Sequence, residues 1–227
     1  MRKTEFADDC YYHIYNRGVD KRKIFIHTHD YLRFVMALYL FNNNEPVDMA
    51  LNIPKVTPSE EGVTFGSHHR REIVDIGAYC LMPNHFHLLI KSRDAKSLII
   101  FMRKLGTGYA MYFNKKYKRT GRLFENAFKA TLIEDDEYLR HSSIYIHMNP
   151  LKLSDSQWKE NGVSDIRSAH KFLEGYQWSS YQHYLGEKKD NILNLDVFPK
   201  YFENSNAYKM FIEDWMLNYR YKNPPKV

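Results

Sequence analysis

Two histidines two residues apart, in Leu81-Met82-Pro83-Asn84-His85-Phe86-His87-Leu88-Leu89-Ile90, are the residues of this chain whose types and spacing point most directly to chemistry. On a β-strand, residues i and i+2 project from one face, with Cα atoms roughly 6.5 Å apart. Two imidazoles so placed can converge on a single cation. Phe86, Leu88 and Ile90 alternate with them, so the apolar register turns both histidines to the opposite face of the sheet. A strand pair of this kind can equally be hydrogen-bonded to carbonyls or lie on a solvated face. It becomes a site only with a third ligand and a reactive group.

A second segment supplies candidates for both. In His141-Ser142-Ser143-Ile144-Tyr145-Ile146-His147-Met148-Asn149-Pro150, Tyr145 and Asn149 are i and i+4 and share a helix face, with His141 one turn earlier. A phenol and an amide oxygen can thus be delivered together to a metal held by His85 and His87, with His141 near enough to move a proton or orient a neighbour. The ordinary alternatives stand beside this. The chain holds 18 tyrosines, and a helical tyrosine is usually a core or boundary residue. Asn149 is also a natural helix terminator.

The elements that must position these groups are legible in the periodicity. Tyr11 to Arg17 is rich in β-formers and closes at Gly18. His29 to Phe41 has helical spacing, broken by Asn42-Asn43-Asn44-Glu45-Pro46. The stretch to Arg71 is mixed in pattern and reads as an insertion or long loop. Ile73 to Leu81 is a second strand, which Pro83-Asn84 turns into the His85–Lys91 strand as a hairpin. Asp94 to Tyr117 is a long helix in which Gly106 and Gly108, each costing about 1 kcal/mol relative to alanine, predict a kink or local break. Phe128 to Ile133 is a strand, and Asp135 can cap a helix that runs to Met148 and stops near Pro150.

The order strand, helix, strand, strand, helix, strand, helix predicts an α+β fold. It is a ferredoxin-like or RRM-like antiparallel sheet with helices packed on one face, plus a C-terminal helical appendage. Residues 1–150 form the expected catalytic domain, with an insertion at about 43–71, and residues 151–227 the appendage.

The chain has 227 residues, 44% of them hydrophobic, enough for a sizeable core and against wholesale disorder. Its formal charge of +6 favours an anionic partner, nucleic acid before membrane. Two cysteines, Cys10 and Cys80, give no disulfide framework and no CxxC unit. With a polar N-terminus and no long apolar run, a cytoplasmic setting is expected.

Met82-Pro83-Asn84-His85-Phe86-His87 resembles the histidine–hydrophobic–histidine motif of the HUH single-strand endonucleases. Together with Tyr145-Ile146-His147-Met148-Asn149-Pro150 and Trp178-Ser179-Ser180-Tyr181, it is similar to the REP-associated tyrosine transposases, relatives of the single-tyrosine insertion-sequence transposases. Tyr112-Phe113-Asn114, Thr120-Gly121-Arg122-Leu123-Phe124 and Phe128-Lys129 also match what lies between these motifs, and the likeness covers about residues 10 to 186. The resemblance implies that His85 and His87 bind Mg²⁺ or Mn²⁺ with Asn149 as third ligand, and that Tyr145 is the nucleophile. It implies cleavage and transfer of single-stranded or hairpin DNA through a 5′-phosphotyrosine. It also implies a monomeric site, with a dimer left open. Gly108, inside the long helix, and the long insertion depart from the family pattern.

Between the two halves of the site lie Arg103, Lys104, Lys115, Lys116, Lys118, Arg119, Arg122 and Lys129, opposed only by Glu125. These are the expected DNA-binding residues, since basic groups can follow a phosphate backbone. The interleaved Tyr109, Tyr112 and Phe113 read better as the buried stripe of the helix. His68-His69-Arg70-Arg71 is a further basic cluster to which no metal role is given. The alternative functions are a DNA-binding protein with an unused or decayed site and a metal-dependent protein that binds or cleaves RNA.

Overall fold

The computed structural model describes residues 5–45, 58–59, 62–63, 71–187 and 191–219. In chain order the elements are β1 (Tyr11–Arg17), α1 (Thr28–Phe41), β2 (Pro58–Ser59), β3 (Gly62–Val63), β4 (Val74–Met82), β5 (His85–Ser92), α2 (Ala95–Lys116), β6 (Lys129–Ile133), α3 (Asp136–Met148) and α4 (Leu151–Ser154). There follow α5 (Trp158–Asn161), α6 (Ile166–Gly175), α7 (Tyr181–Tyr184) and α8 (Ser205–Asn218). The main sheet has the order β4-β5-β1-β6 with every neighbouring pair antiparallel. Without the small β2–β3 pair, this is the βαββαβ order of a ferredoxin-like sheet, with β1 in the interior. His68, His69 and Arg70 lie outside the described residues.

The sheet has a core on each face. Phe86, Leu88 and Ile90 of β5 and Tyr12 and Ile14 of β1 are buried with the apolar faces of α1 and α2. On the other face Ala78, Cys80, Met82 and Leu89 meet Leu139 and Ile146 of α3. This corrects the expectation of helices on one face: α3 forms a third layer. All nine residues of β4 are buried. Their run, Val-Asp-Ile-Gly-Ala-Tyr-Cys-Leu-Met, does not alternate, which is the mark of a strand covered on both faces.

α2 begins where Asp94 accepts a hydrogen bond from the Ser97 amide at 2.8 Å. It runs without interruption through Gly106 and Gly108, so the predicted break is absent. Packing explains Gly108: a Cβ there would lie 2.5 Å from Cζ of Phe41 on α1, whereas nothing lies within 4 Å of one at Gly106. The missing side chain lets the two helices close, and tertiary contact outweighs the local propensity cost.

The C-terminal segment is fastened to the open edge of β4. Leu81 N donates to Trp178 O and Ser180 N to Tyr79 O, both at 2.9 Å, so residues 178–180 run along that edge and cover it. Beyond α3 a third apolar cluster joins Ile144 and Met148 to Leu151, Trp158, Leu173, Ile212 and Trp215. α3 is therefore held between the sheet and the C-terminal helices. Among the described residues no helix is long and apolar enough to cross a membrane.

Candidate active site

The face of the sheet that looks toward α3 carries the chemistry. Register across the strands aligns Cys80, His87, Tyr15 and Lys129 in one row and Met82, His85 and Arg17 in the next. Residues directly opposite one another in antiparallel strands share a face. His85 and His87 therefore project together, with ring centroids 5.0 Å apart and planes at 86°.

Both rings are engaged through Nδ1. The Asn84 side-chain amide donates to Lys21 O at 3.2 Å, which leaves its Oδ1, 2.6 Å from Nδ1 of His85, to accept. His85 therefore carries its proton on Nδ1 and keeps the Nε2 lone pair free. Nδ1 of His87 lies 2.9 Å from Nε2 of His13 on β1. Burial, reinforced by Arg17, Lys152 and Lys159, pulls the His85 pKa down to about 3. Burial and the neighbouring His13 and His85 hold His87 well below its ordinary value. Both imidazoles are thus neutral at pH 7, as metal ligation requires. A ring nitrogen fixed by a polar partner while the other stays free is the usual arrangement behind a metal-ligating histidine.

Tyr145 reaches the same place from α3. Its ring stands edge-on to His87 and His13, with centroids 5.9 and 5.8 Å away. Histidines and tyrosine come from a single copy of the chain. Burial is the main reason the phenol is held above its ordinary pKa, so it is protonated at neutral pH. Its oxygen accepts a hydrogen bond from Nζ of Lys159 at 3.1 Å. Asn149 caps α3 one turn beyond; it is buried, and its Nδ2 donates to Tyr145 O at 2.7 Å, so its amide oxygen is the atom that could serve as a ligand.

Other residues are placed differently from the sequence expectation. His141 packs against Trp215 and Phe211, with centroids 4.8 and 6.1 Å away, in the core under the C-terminal helices. His147 is buried between Tyr208 Oη and Ser180 Oγ, at 2.5 and 2.7 Å, and ties α3 to α8 and the β4 edge. Among the described residues no three His, Cys, Asp or Glu side chains gather as a metal site. The candidate donors are the two imidazoles on the sheet face and the Asn149 amide at the end of α3.

A cleft of about 170 Å³ opens beside the pair, lined by Tyr15, Arg17, His85, His87, Glu125 and Lys129 among others. A larger cavity of about 280 Å³, next to Leu139, Phe198, Tyr201 and Phe202, is mostly apolar and holds neither His85, His87 nor Tyr145. The smaller cleft is the one lined by both histidines; Tyr145 and Asn149 are not among its lining residues.

The basic residues divide. Glu125 N donates to Arg17 O and Val19 N to Leu123 O, so the loop before β6 lies at the sheet end that carries His85. Lys118, Arg122 and Lys129, exposed in or just after that loop, share this end with the exposed Arg17 and Lys21. Arg119 is half-buried, bonded to Asn114 Oδ1 at 3.0 Å. Lys115 is exposed at the end of α2, while Arg103 is roughly 18 Å back along the helix. Two of the expected DNA contacts are already committed elsewhere. Lys104 donates to Asn43 O at 2.6 Å and Glu45 O at 3.1 Å. Lys116 forms a 2.6 Å ion pair with the fully buried Asp30. Sequence reasoning missed His13, Lys159, Arg17 and Lys21. The first two are signalled by no spacing, because they are brought in by β1 and by the C-terminal segment.

Residues 64–149 match the family described as IS200-like transposases. This segment is similar to that family. It contains both histidines, Tyr145 and Asn149. No curated protein matches the chain. Among solved structures, one of a REP-associated tyrosine transposase bound to a REP hairpin aligns with a TM-score of 0.48 at 10% identity, covering 89% of this chain and 98% of that one.

Proposed function

We propose that this protein cleaves and rejoins single-stranded or hairpin DNA through a covalent link to Tyr145, as expected for a transposase of the IS200-like family. The observation that carries the reading is the edge-on approach of Tyr145 to His87, with His85 beside it on one sheet face of the same chain.

His85 and His87 through Nε2, and Asn149 through its amide oxygen, are the residues that would hold Mg²⁺ or Mn²⁺; the bound ion would neutralise a non-bridging phosphate oxygen and orient the phosphate. Arg17 and Lys129 in the cleft would guide the anionic backbone to the tyrosine. Tyr145 Oη then forms a bond to phosphorus as the P–O3′ bond breaks. The product is a 5′-phosphotyrosine with a free 3′-hydroxyl. Phosphodiester energy is kept in the new bond, so a second 3′-hydroxyl can reverse the step without ATP. Lys115, Lys118, Arg119 and Arg122 extend the path for DNA, with Arg103 further along α2; Lys104 and Lys116 serve the fold. On this reading the tyrosine and the histidines of one copy act together, as a monomer would require.

The test is incubation of a hairpin oligonucleotide carrying a single-stranded flank with the protein and Mn²⁺. A protein–DNA species that survives denaturing electrophoresis, and is lost with chelator, is expected. Hairpin binding with no such species in any divalent metal would instead favour a DNA-binding protein whose site is unused.

A further inference from the structure

The C-terminal segment brings a lysine to the tyrosine. Lys159 on α5 has its Nζ 3.1 Å from Tyr145 Oη and 4.5 Å from the centroid of that ring. Trp158 and Tyr219, packed edge to face at 4.6 Å, flank it at 5.5 and 5.8 Å. Among the described residues no carboxylate lies within ion-pairing distance of Lys159. A lysine placed for stability alone would stay hydrated or meet a carboxylate. Here an ammonium is partly withdrawn from water among aromatic rings, with a phenol oxygen as its hydrogen-bond partner. Burial, then the charge of Lys152, pull its pKa down to about 8, against the opposing charge of Glu160.

We propose that Lys159 is a catalytic residue: it holds the Tyr145 hydroxyl in place, and its charge offsets the negative charge that gathers on Oη during attack on the phosphodiester. This rests on Tyr145 being the nucleophile. In the step, the Oη–P bond forms and the P–O3′ bond breaks. The phenol proton leaves to water, and the departing 3′ oxygen takes a proton from water. Lys159 gains and loses none. Its N–H···O bond strengthens as the oxygen becomes anionic. The active centre is therefore incomplete in residues 1–150, and the C-terminal segment contributes chemistry as well as packing.

The experiment compares wild type, Lys159→Met and Lys159→Arg in single-turnover adduct formation on the hairpin oligonucleotide with Mn²⁺, alongside hairpin affinity. Tyrosine labelled with ¹³C at Cζ, with the Tyr145 signal assigned through its loss in Tyr145→Phe, reports the hydrogen bond without catalysis. Lys159→Met should slow the adduct about 100-fold at saturating DNA, with affinity within about twofold of wild type. Lys159→Arg should recover most of the rate, and the Tyr145 Cζ signal should move in Lys159→Met. Wild-type rates in Lys159→Met would overturn the proposal while leaving Tyr145 as nucleophile. So would a loss of rate that merely follows loss of DNA binding, or one that arginine does not restore. Absence of adduct in wild type would overturn the nucleophile assignment and this proposal together.

Discussion

His13 Nε2 lies 2.9 Å from His87 Nδ1, with both rings closed off from solvent. A metal ion on Nε2 of His87 requires the proton on Nδ1, and His13 is the acceptor that would fix it there. The other nitrogen of His13 is buried without a partner, so His13 is poorly accounted for by stability alone. Replacing it by phenylalanine keeps the ring volume and removes the acceptor. His13→Phe should weaken Mn²⁺ binding, measured by calorimetry, by about 10- to 100-fold with little change in melting temperature. Unchanged affinity would remove His13 from the metal account.

Lys116 and its neighbours along the basic run should separate in experiment. Burial raises the Asp30 carboxyl, but hydrogen bonds from Lys116, Tyr117 and the His27 and Ile26 amides together bring it down to about 2. Lys116→Met removes the ammonium from that buried carboxylate and should cost about 1.5–3 kcal/mol in urea unfolding. Neutralising Lys115, Lys118, Arg119 and Arg122 should instead reduce the slope of log affinity against log salt by about 0.7–0.9 for each phosphate that the variant no longer neutralises. A quadruple variant with the wild-type slope would place the DNA elsewhere.

Most of the fold follows from pattern because the elements are locally specified. Asp94 and Asp135 cap α2 and α3 where their sequence contexts predict. The Phe86–Leu88–Ile90 alternation sets the face on which His85 and His87 emerge. What pattern could not supply is non-local. The second covered face of β4, the closure of α1 on Gly108, and the arrival of His13 and Lys159 depend on which strands and helices meet. Lys116 illustrates the same limit from the other side: in sequence it is one basic residue in a run, and only packing pairs it with Asp30, 86 residues away.

Gly106 and Gly108 should respond oppositely to alanine. Gly106→Ala meets open space and gains helix propensity, so stability should rise by about 0.5–1 kcal/mol. Gly108→Ala drives a methyl into the Phe41 ring and should lower stability by about 1–3 kcal/mol despite the same gain. Thermal or urea unfolding of the two variants measures both. A stabilised Gly108→Ala would contradict the α1–α2 packing.

Acid should act through His147. Burial, with the charge of His183 adding to it, pulls its pKa to about 3 from the ordinary value of 6.5. Below pH 6.5 the unfolded chain therefore takes up a proton that the folded chain refuses, and stability falls as pH drops toward 3. His147→Gln, able to bond Tyr208 and Ser180 without titrating, should show a shallower decline of urea midpoint between pH 6.5 and 4. An identical pH dependence in the variant would mean that His147 is not held neutral.

The central claim is that Tyr145 becomes covalently bound to DNA. Proteolysis of the adduct formed with a hairpin oligonucleotide and Mn²⁺, followed by mass spectrometry, should place the nucleotide on the peptide containing Tyr145. Tyr145→Phe, which removes one hydroxyl and leaves the ring packed against His87, should yield no adduct while binding the hairpin as wild type does. An adduct that persists in Tyr145→Phe, or that maps to Tyr15, Tyr138 or any other tyrosine, would contradict the account.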